Sequence, residues 1–208
     1  NRKFTIKALA SAVGQMVAAF PGVTYGPLFY RSIDNFKSKA LKEAKGNFDR
    51  RTSLPEECVP DVQWWIDNIL NVKKSIVLDA PSRFLESDAS KKAWGGCMIK
   101  GDQKLTTGGN WSDEESKLHI NCLELLAAWF TIKCFCSNDT GVHIKILVDN
   151  TTTVAYISHM GGTKEPCNKI ARKIWLWCHK NNNWITCSHI AGVKNLDADR
   201  ESRSNHDN

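Results

Sequence analysis

The order of secondary-structure patterns from residue 83 onward limits the fold more than any other feature of this chain. RFLESDAS, AWGGCMIK and KLTTGGNW are three strand patterns in succession, and Gly101-Asp102 between the last two is a hairpin signal. A long helix pattern follows from Asn121, then a strand at 143–149 (HIKILVD). Helices come next from Asn150 to about His159 and from about 166 to 180. A strand at 184–190 (WITCSHI) and a short helix around 195–203 close the chain. Antiparallel strands followed by strand–helix alternation predict an α/β fold: a mixed five-stranded sheet, three antiparallel strands then parallel ones, flanked by helices.

Four acids fall at the ends of these elements. Asp88 ends the first strand, Glu124 lies early in the long helix, Asp149 ends the fourth strand and Asp199 lies in the last helix. Acids scattered over a surface are ordinary solvated groups. Acids at element ends can converge on one sheet edge, where carboxylate oxygens suit hard divalent cations. Glu124 also has a plain structural reading, because Asn121 three residues earlier can cap the helix in a capping-box-like pattern. Leu118, Cys122, Leu125, Trp129 and Ile132 share one face of that helix and should be core. Glu86 shares a strand face with Asp88 and is expected to be exposed. Gly95 and Gly96 lie inside a strand, where glycine marks a bulge or a close approach by a backbone or ligand. Most tryptophans are core by spacing.

Residues 1–80 read differently. Helical periodicity runs over 5–20 and ends at Pro21-Gly22; further helices are expected at 29–45, ending at Gly46, and at 55–70, opening with Pro55-Glu56-Glu57. Net charge is +6, and the excess sits here: residues 1–75 hold 12 Lys/Arg against 7 Asp/Glu, the remainder 16 against 15. A basic surface favours a polyanionic partner. Eight cysteines without a CxxC pair argue against a zinc site of the usual spacing and for free thiols in a reducing compartment. No long uncharged apolar run or signal peptide is present, so the chain is expected to be intracellular, in cytoplasm and/or nucleus, neither secreted nor membrane-bound. It opens without Met inside a helical pattern, which suggests a piece of a longer protein.

The acids in this order, with DNTTTVAYISHMGGTKE and HIAGVKNLDADRESR around them, resemble ribonuclease H over roughly 83–204. The strings are especially similar to those of tyrosine-recombinase (DIRS-type) retrotransposons. ALASAVGQMVAAFPGVTYGPLFYRSI, KGNFD and QWWIDNI look like the segment joining polymerase thumb to ribonuclease H in such elements. The resemblance implies a helical thumb/connection-like segment at 1–80 and a ribonuclease H-like domain at 81–208. It implies hydrolysis of the RNA strand of an RNA·DNA hybrid with two Mg²⁺ ions (or Mn²⁺) held by Asp88, Glu124, Asp149 and Asp199. It makes His189 an aid to proton transfer or product release, against the plain reading of a strand-end histidine. Gly95, Gly96, Asn121 and Asn150 become candidates for nucleic-acid contact, although both asparagines are equally good helix caps. Lys91, Lys92, Lys164 and Lys169 become candidates for phosphate contact. The remaining partner is the polymerase part of a retroelement polyprotein; neither the polymerase's paired-Asp box nor a recombinase nucleophile is present here. Two departures stand out: Ala191 where relatives often have Pro, and Arg200-Glu201 in place of Ala-Leu. A scaffold domain with weak catalysis, or another nuclease or integrase of the superfamily, are the competing readings.

Overall fold

A computed structural model describes residues 3–71, 78–191 and 195–204. The chain forms two compact units, 1–78 and 79–208. Among the described residues, no helix is long and apolar enough to cross a membrane.

The first unit is built on three helices, α1 (Ile6–Ala19), α2 (Arg31–Glu43) and α3 (Val59–Asn68), with a two-residue pairing of β1 (Phe4–Thr5) and β2 (Arg51–Thr52). Thr5 caps α1 by accepting from the Ala8 N–H at 3.2 Å, which satisfies one of the orphan donors of a helix start. Leu9, Val13, Ile33 and Cys58 meet in its core. Trp65 is buried and donates its indole N–H to the Phe29 carbonyl at 3.1 Å. The third helix begins later than expected. Glu56–Cys58 is a 3-10 turn, and Pro60, not Pro55, occupies the first turn of α3.

The second unit holds the sheet, in the order β5-β4-β3-β6-β7. Its strands are β3 (Arg83–Ala89), β4 (Ala93–Lys100), β5 (Gln103–Asn110), β6 (His143–Val148) and β7 (Trp184–His189). The β3–β4 and β4–β5 pairs are antiparallel, and the β3–β6 and β6–β7 pairs are parallel. This is the mixed five-stranded sheet that the element order implies. Lys100 pairs with Gln103 across Gly101-Asp102, and Gly101 takes φ +61°, which a glycine adopts without steric cost. β6 alternates, burying Ile144, Ile146 and Val148, whereas central β3 is buried without a break from Leu85 to Ala89.

Among the described residues four α-helices accompany the sheet: α4 (Ile120–Cys136), α5 (Thr151–Ser158), α6 (Glu165–Lys180) and α7 (Leu196–Arg203). α4 is buried on every side from Cys122 to Trp129, not along one face. Leu123, Leu126 and Ala127 pack with Ala89, Trp94 and Trp111. In α6 the buried tryptophan is Trp175, which donates to the Ile157 carbonyl at 2.8 Å, while Trp177 is half-buried. All eight cysteines are free thiols, and the Cys122 and Cys167 sulfurs touch at 3.0 Å where α4 meets α6.

The paired glycines explain how α4 and α7 reach the sheet. Neighbouring residues of a strand point to opposite faces. A Cβ on Gly95 would lie 2.2 Å from the Ala198 carbonyl oxygen and 2.6 Å from the Ser202 nitrogen, both of α7. A Cβ on Gly96 would lie 2.2 Å from Thr131 Oγ1 of α4. The two helices therefore cover opposite faces of β4, each seated where a side chain is missing. Both glycines are buried. Close approach by these two helices is the structural reason for the glycine pair.

Candidate metal centre

The parallel pairing of β3 with β6 brings the carboxyl ends of both strands to one edge. Ser87 pairs with Val148, so Asp88 and Asp149, each one residue further on, emerge side by side. Carboxyl ends of adjacent parallel strands are a recurrent place for ligands in open α/β sheets. α4 delivers Glu124 to the same edge, where its carboxylate accepts from the Ala89 N–H. Ligand oxygens of Asp88, Glu124 and Asp149 lie within 4.8 Å of one another.

Asp199 stands one step outside this triad. It is close enough to raise the pKa of Asp88 through its charge, but its own carboxylate is engaged by Arg203 Nε at 2.6 Å. Four residues apart, the two form an i,i+4 pair along α7. The structure thus brings three of the four expected acids together and leaves the fourth beside them.

Electrostatics mark the triad as strained without a cation. Burial pushes the Glu124 carboxyl up to about 9, reinforced by the charges of Asp88 and Asp149 and opposed by the Ala89 N–H. Burial also raises Asp88; the hydroxyl of Ser202 opposes this, while Asp149 and Asp199 add to it and Arg203 opposes it again. Ser202 Oγ donates to Asp88 Oδ2 at 2.5 Å. Glu124 Oε2 is buried and has no hydrogen-bond partner among the described residues. An orphaned buried carboxylate oxygen costs free energy, and a divalent cation on these all-oxygen donors removes that cost, so the residues present fit a hard ion of the Mg²⁺ class.

A pH dependence follows for the protein held in chelator. Glu124 has a folded pKa above its ordinary value of 4.5. Its contribution to stability is therefore complete below about 4.5 and is lost as pH rises toward about 9. Glu124→Gln removes the ionisable group. It should leave Tm unchanged near pH 4.5 and raise it at pH 8 by on the order of 5 °C, about 2 kcal/mol. Thermal melts across that range check this, and Mg²⁺ added to the parent protein should narrow the gap. Parallel melting curves at every pH would show that Glu124 carries no such burden.

The neighbouring asparagines are resolved by their contacts. Asn150 is the N-cap of α5, accepting from the Thr153 N–H at 2.9 Å, and its Nδ2 donates to Asn121 Oδ1 at 3.0 Å. Asn121 is not a cap. α4 starts one residue earlier, and His119 caps it, with Nδ1 accepting from the Asn121 N–H at 3.2 Å. The capping-box reading of Glu124 fails with it, because Glu124 sits beyond the first turn. Asn121 and Asn150 instead form a side-chain pair adjoining the triad, and Asn121 lies in the helix turn that leads to Glu124.

His189 is the last residue of β7, opposite Val148 in register, and its exposed side chain makes no hydrogen bond among the described residues. It is a strand-end residue. The loop that follows it, at 192–194, lies outside the described residues. Because no described residue holds the imidazole, His189→Ala should leave Tm unchanged. If the side chain moves protons in the reaction, turnover should fall roughly tenfold to a hundredfold, with little change in hybrid affinity. Unchanged turnover would reduce His189 to a bystander.

Other expectations fare unevenly. Lys91 is exposed, with its ammonium 3.1 Å from the Leu118 carbonyl oxygen. Lys92 and Lys164 are exposed, and Lys169 is exposed and pairs with Glu165 at 3.8 Å. Glu86, expected in solvent, is 4% exposed; β3 is central and α7 lies across it, so both faces are covered. Two residues next to the triad were not read from sequence: Ser202 and Arg203. Their signal was present, since Asp199, Ser202 and Arg203 are spaced to share one face of a helix.

No protein-family model matches the chain, and no curated protein does. Solved structures similar to it include RNase H1 from the halophilic archaeon Halobacterium salinarum NRC-1, at 14% identity over 57% of this chain and 91% of that one, with a TM-score of 0.46. LC11-RNase H1, solved in complex with RNA/DNA hybrid, is similar at 16% identity over 57% of this chain and 91% of that one, also with a TM-score of 0.46. The foamy viral protease-reverse transcriptase in complex with RNA/DNA hybrid is similar at 15% identity over 90% of this chain and 25% of that one, with a TM-score of 0.36.

Proposed function

We propose that this chain is a ribonuclease H-like endonuclease that hydrolyses the RNA strand of RNA·DNA hybrids during reverse transcription of a retroelement. The observation that carries this reading is the meeting of Asp88, Glu124 and Asp149 within 4.8 Å at one sheet edge. Divalent ions held there, Mg²⁺ or Mn²⁺ and two in number, would supply an activated water and neutralise charge on the scissile phosphate. The chain's own residues supply the rest. Asp88, Glu124 and Asp149 would be the ligands; the Ser202 hydroxyl bonds Asp88, and Arg203 pairs with Asp199 beside the cluster.

Discrimination of RNA from DNA needs a donor or acceptor aimed at the 2′-OH. The Asn121–Asn150 pair is suited to this. Asn150 spends its oxygen on Thr153 and one donor on Asn121 Oδ1, and the side-chain Nδ2 of Asn121 has no hydrogen bond among the described residues. The resemblance of 1–80 to a thumb/connection segment supports a polymerase domain as the adjoining partner, and its basic excess suits a nucleic-acid duplex.

The test is incubation of the purified chain with end-labelled RNA·DNA hybrid, duplex DNA and duplex RNA, in Mg²⁺ and in chelator. The reading expects metal-dependent cutting of the RNA strand of the hybrid alone. Cutting of duplex DNA would favour an integrase-like nuclease. Tight hybrid binding without cutting would favour a scaffold domain.

A further inference from the structure

On the face of the sheet that carries α7, a second group of ligating atoms lies apart from the oxygen triad. Glu86 of β3 and Cys97 of β4 are direct cross-strand partners, and Asp197 of α7 comes down over them. Ligand atoms of the three lie within 4.8 Å of one another. Glu86 and Cys97 are 4% and 0% exposed, and Asp197 is half-buried. Glu86 Oε2 is buried and has no hydrogen-bond partner among the described residues. A carboxylate in that position calls for a cation.

One cation is already near. Lys104 of β5 reaches across β4, placing its ammonium 2.7 Å from Asp197 Oδ2 but 3.6 Å from Glu86 Oε2. It hydrogen-bonds Asp197 and only approaches Glu86. Its side chain is 43% exposed, so it can swing out to solvent. Two carboxylates surround a thiol here, with the Lys104 ammonium against both and the Arg200 charge acting on Asp197 from along α7. Glu201 adds a further negative charge that acts on Cys97.

We propose that Glu86, Cys97 and Asp197 form a second metal site, taking a borderline-soft divalent ion of the zinc class in exchange for Lys104. The donor set decides the ion. A thiolate with two carboxylates selects Zn²⁺ or Co²⁺ over Mg²⁺, whereas the triad at Asp88 offers oxygen only. Binding forms a sulfur–metal bond and breaks the Cys97 S–H bond, and the proton passes to solvent buffer. Three protein ligands leave a fourth position for water. The consequence is mechanical: the ion ties α7 to β3 and β4, and α7 carries Asp199, Ser202 and Arg203. The site stands independently of the proposed nuclease activity.

Cobalt titration of the full chain reads the site directly, because only a thiolate ligand gives a sulfur-to-cobalt charge-transfer band in the near ultraviolet. The expected result is one equivalent of such a band, bleached by Zn²⁺, lost in Cys97→Ser, weakened in Asp197→Asn and retained in Asp149→Asn. Lys104→Met removes the ammonium that Glu86 and Asp197 share, so it is expected to lower Tm without metal and to tighten Co²⁺ roughly tenfold by removing the competing cation. Absence of the band, its persistence in Cys97→Ser, or unchanged affinity in Lys104→Met would each overturn the proposal.

Discussion

Asp149→Asn is expected to lower hybrid cleavage on the order of a thousandfold, about 4 kcal/mol of transition-state stabilisation, while leaving the fold intact. The substitution keeps shape and volume and removes one negative charge from a cluster whose oxygens lie within 4.8 Å. Asp149 is only half-buried and follows the end of β6, so no core packing changes. The Asn150 cap of α5 is untouched. Relief of repulsion on Glu124 and Asp88, both of which feel the charge of Asp149, should hold or slightly raise Tm in chelator. Cleavage rates at saturating Mg²⁺ and melting curves check both halves. Unchanged cleavage with an unchanged fold would place the chemistry elsewhere.

Gly95→Ala should have a large structural effect, because the nearest atoms its added methyl meets are backbone and not a movable side chain. Its Cβ would fall 2.2 Å from a backbone oxygen of α7 and 2.6 Å from a backbone nitrogen. Backbone cannot rotate away as a side chain can, so α7 must lift. The cost is about 3 kcal/mol, or roughly 6 to 10 °C in Tm. The displaced helix takes with it the Ser202 hydroxyl on Asp88 and the Asp199 carboxylate, so cleavage should fall at least roughly tenfold. Gly96→Ala meets atoms of the Thr131 side chain first and presses on α4, which carries Glu124. Parental Tm and parental cleavage in the Gly95→Ala protein would mean that α7 does not depend on this close approach.

Much of the architecture was legible because strand and helix periodicities are local. Alternation in HIKILV, the two-residue hairpin turn and the cap at Asn150 each depend on a few neighbouring residues. The convergence of Asp88 with Asp149 was legible for a related reason. Once two strands are parallel neighbours, residues that end them share an edge. Contacts made across the sheet left no such trace. Alternation puts Glu86 on the face of Asp88 and an acid is ordinarily solvated, yet α7 comes from far along the chain to cover it. His119 shows the limit for caps. Asn is the commoner capping residue, and the choice of His119 depends on its extended backbone, φ −64° and ψ 146°, which composition does not encode. Trp177 and Trp175 differ by two positions on α6, and which one turns inward is settled by the carbonyl of Ile157 that Trp175 bonds. Asp199 was placed on the correct helix, but its reach was set by Arg203, a partner one turn on.

The claim beneath this account is that Asp88, Glu124 and Asp149 bind divalent cations. Crystals of the protein soaked in Mn²⁺ and measured at a wavelength where manganese scatters anomalously test it without reference to activity. The account predicts an anomalous peak within coordination distance of all three carboxylates. Ordered Mn²⁺ elsewhere in the crystal, with no peak between these three side chains, would contradict it.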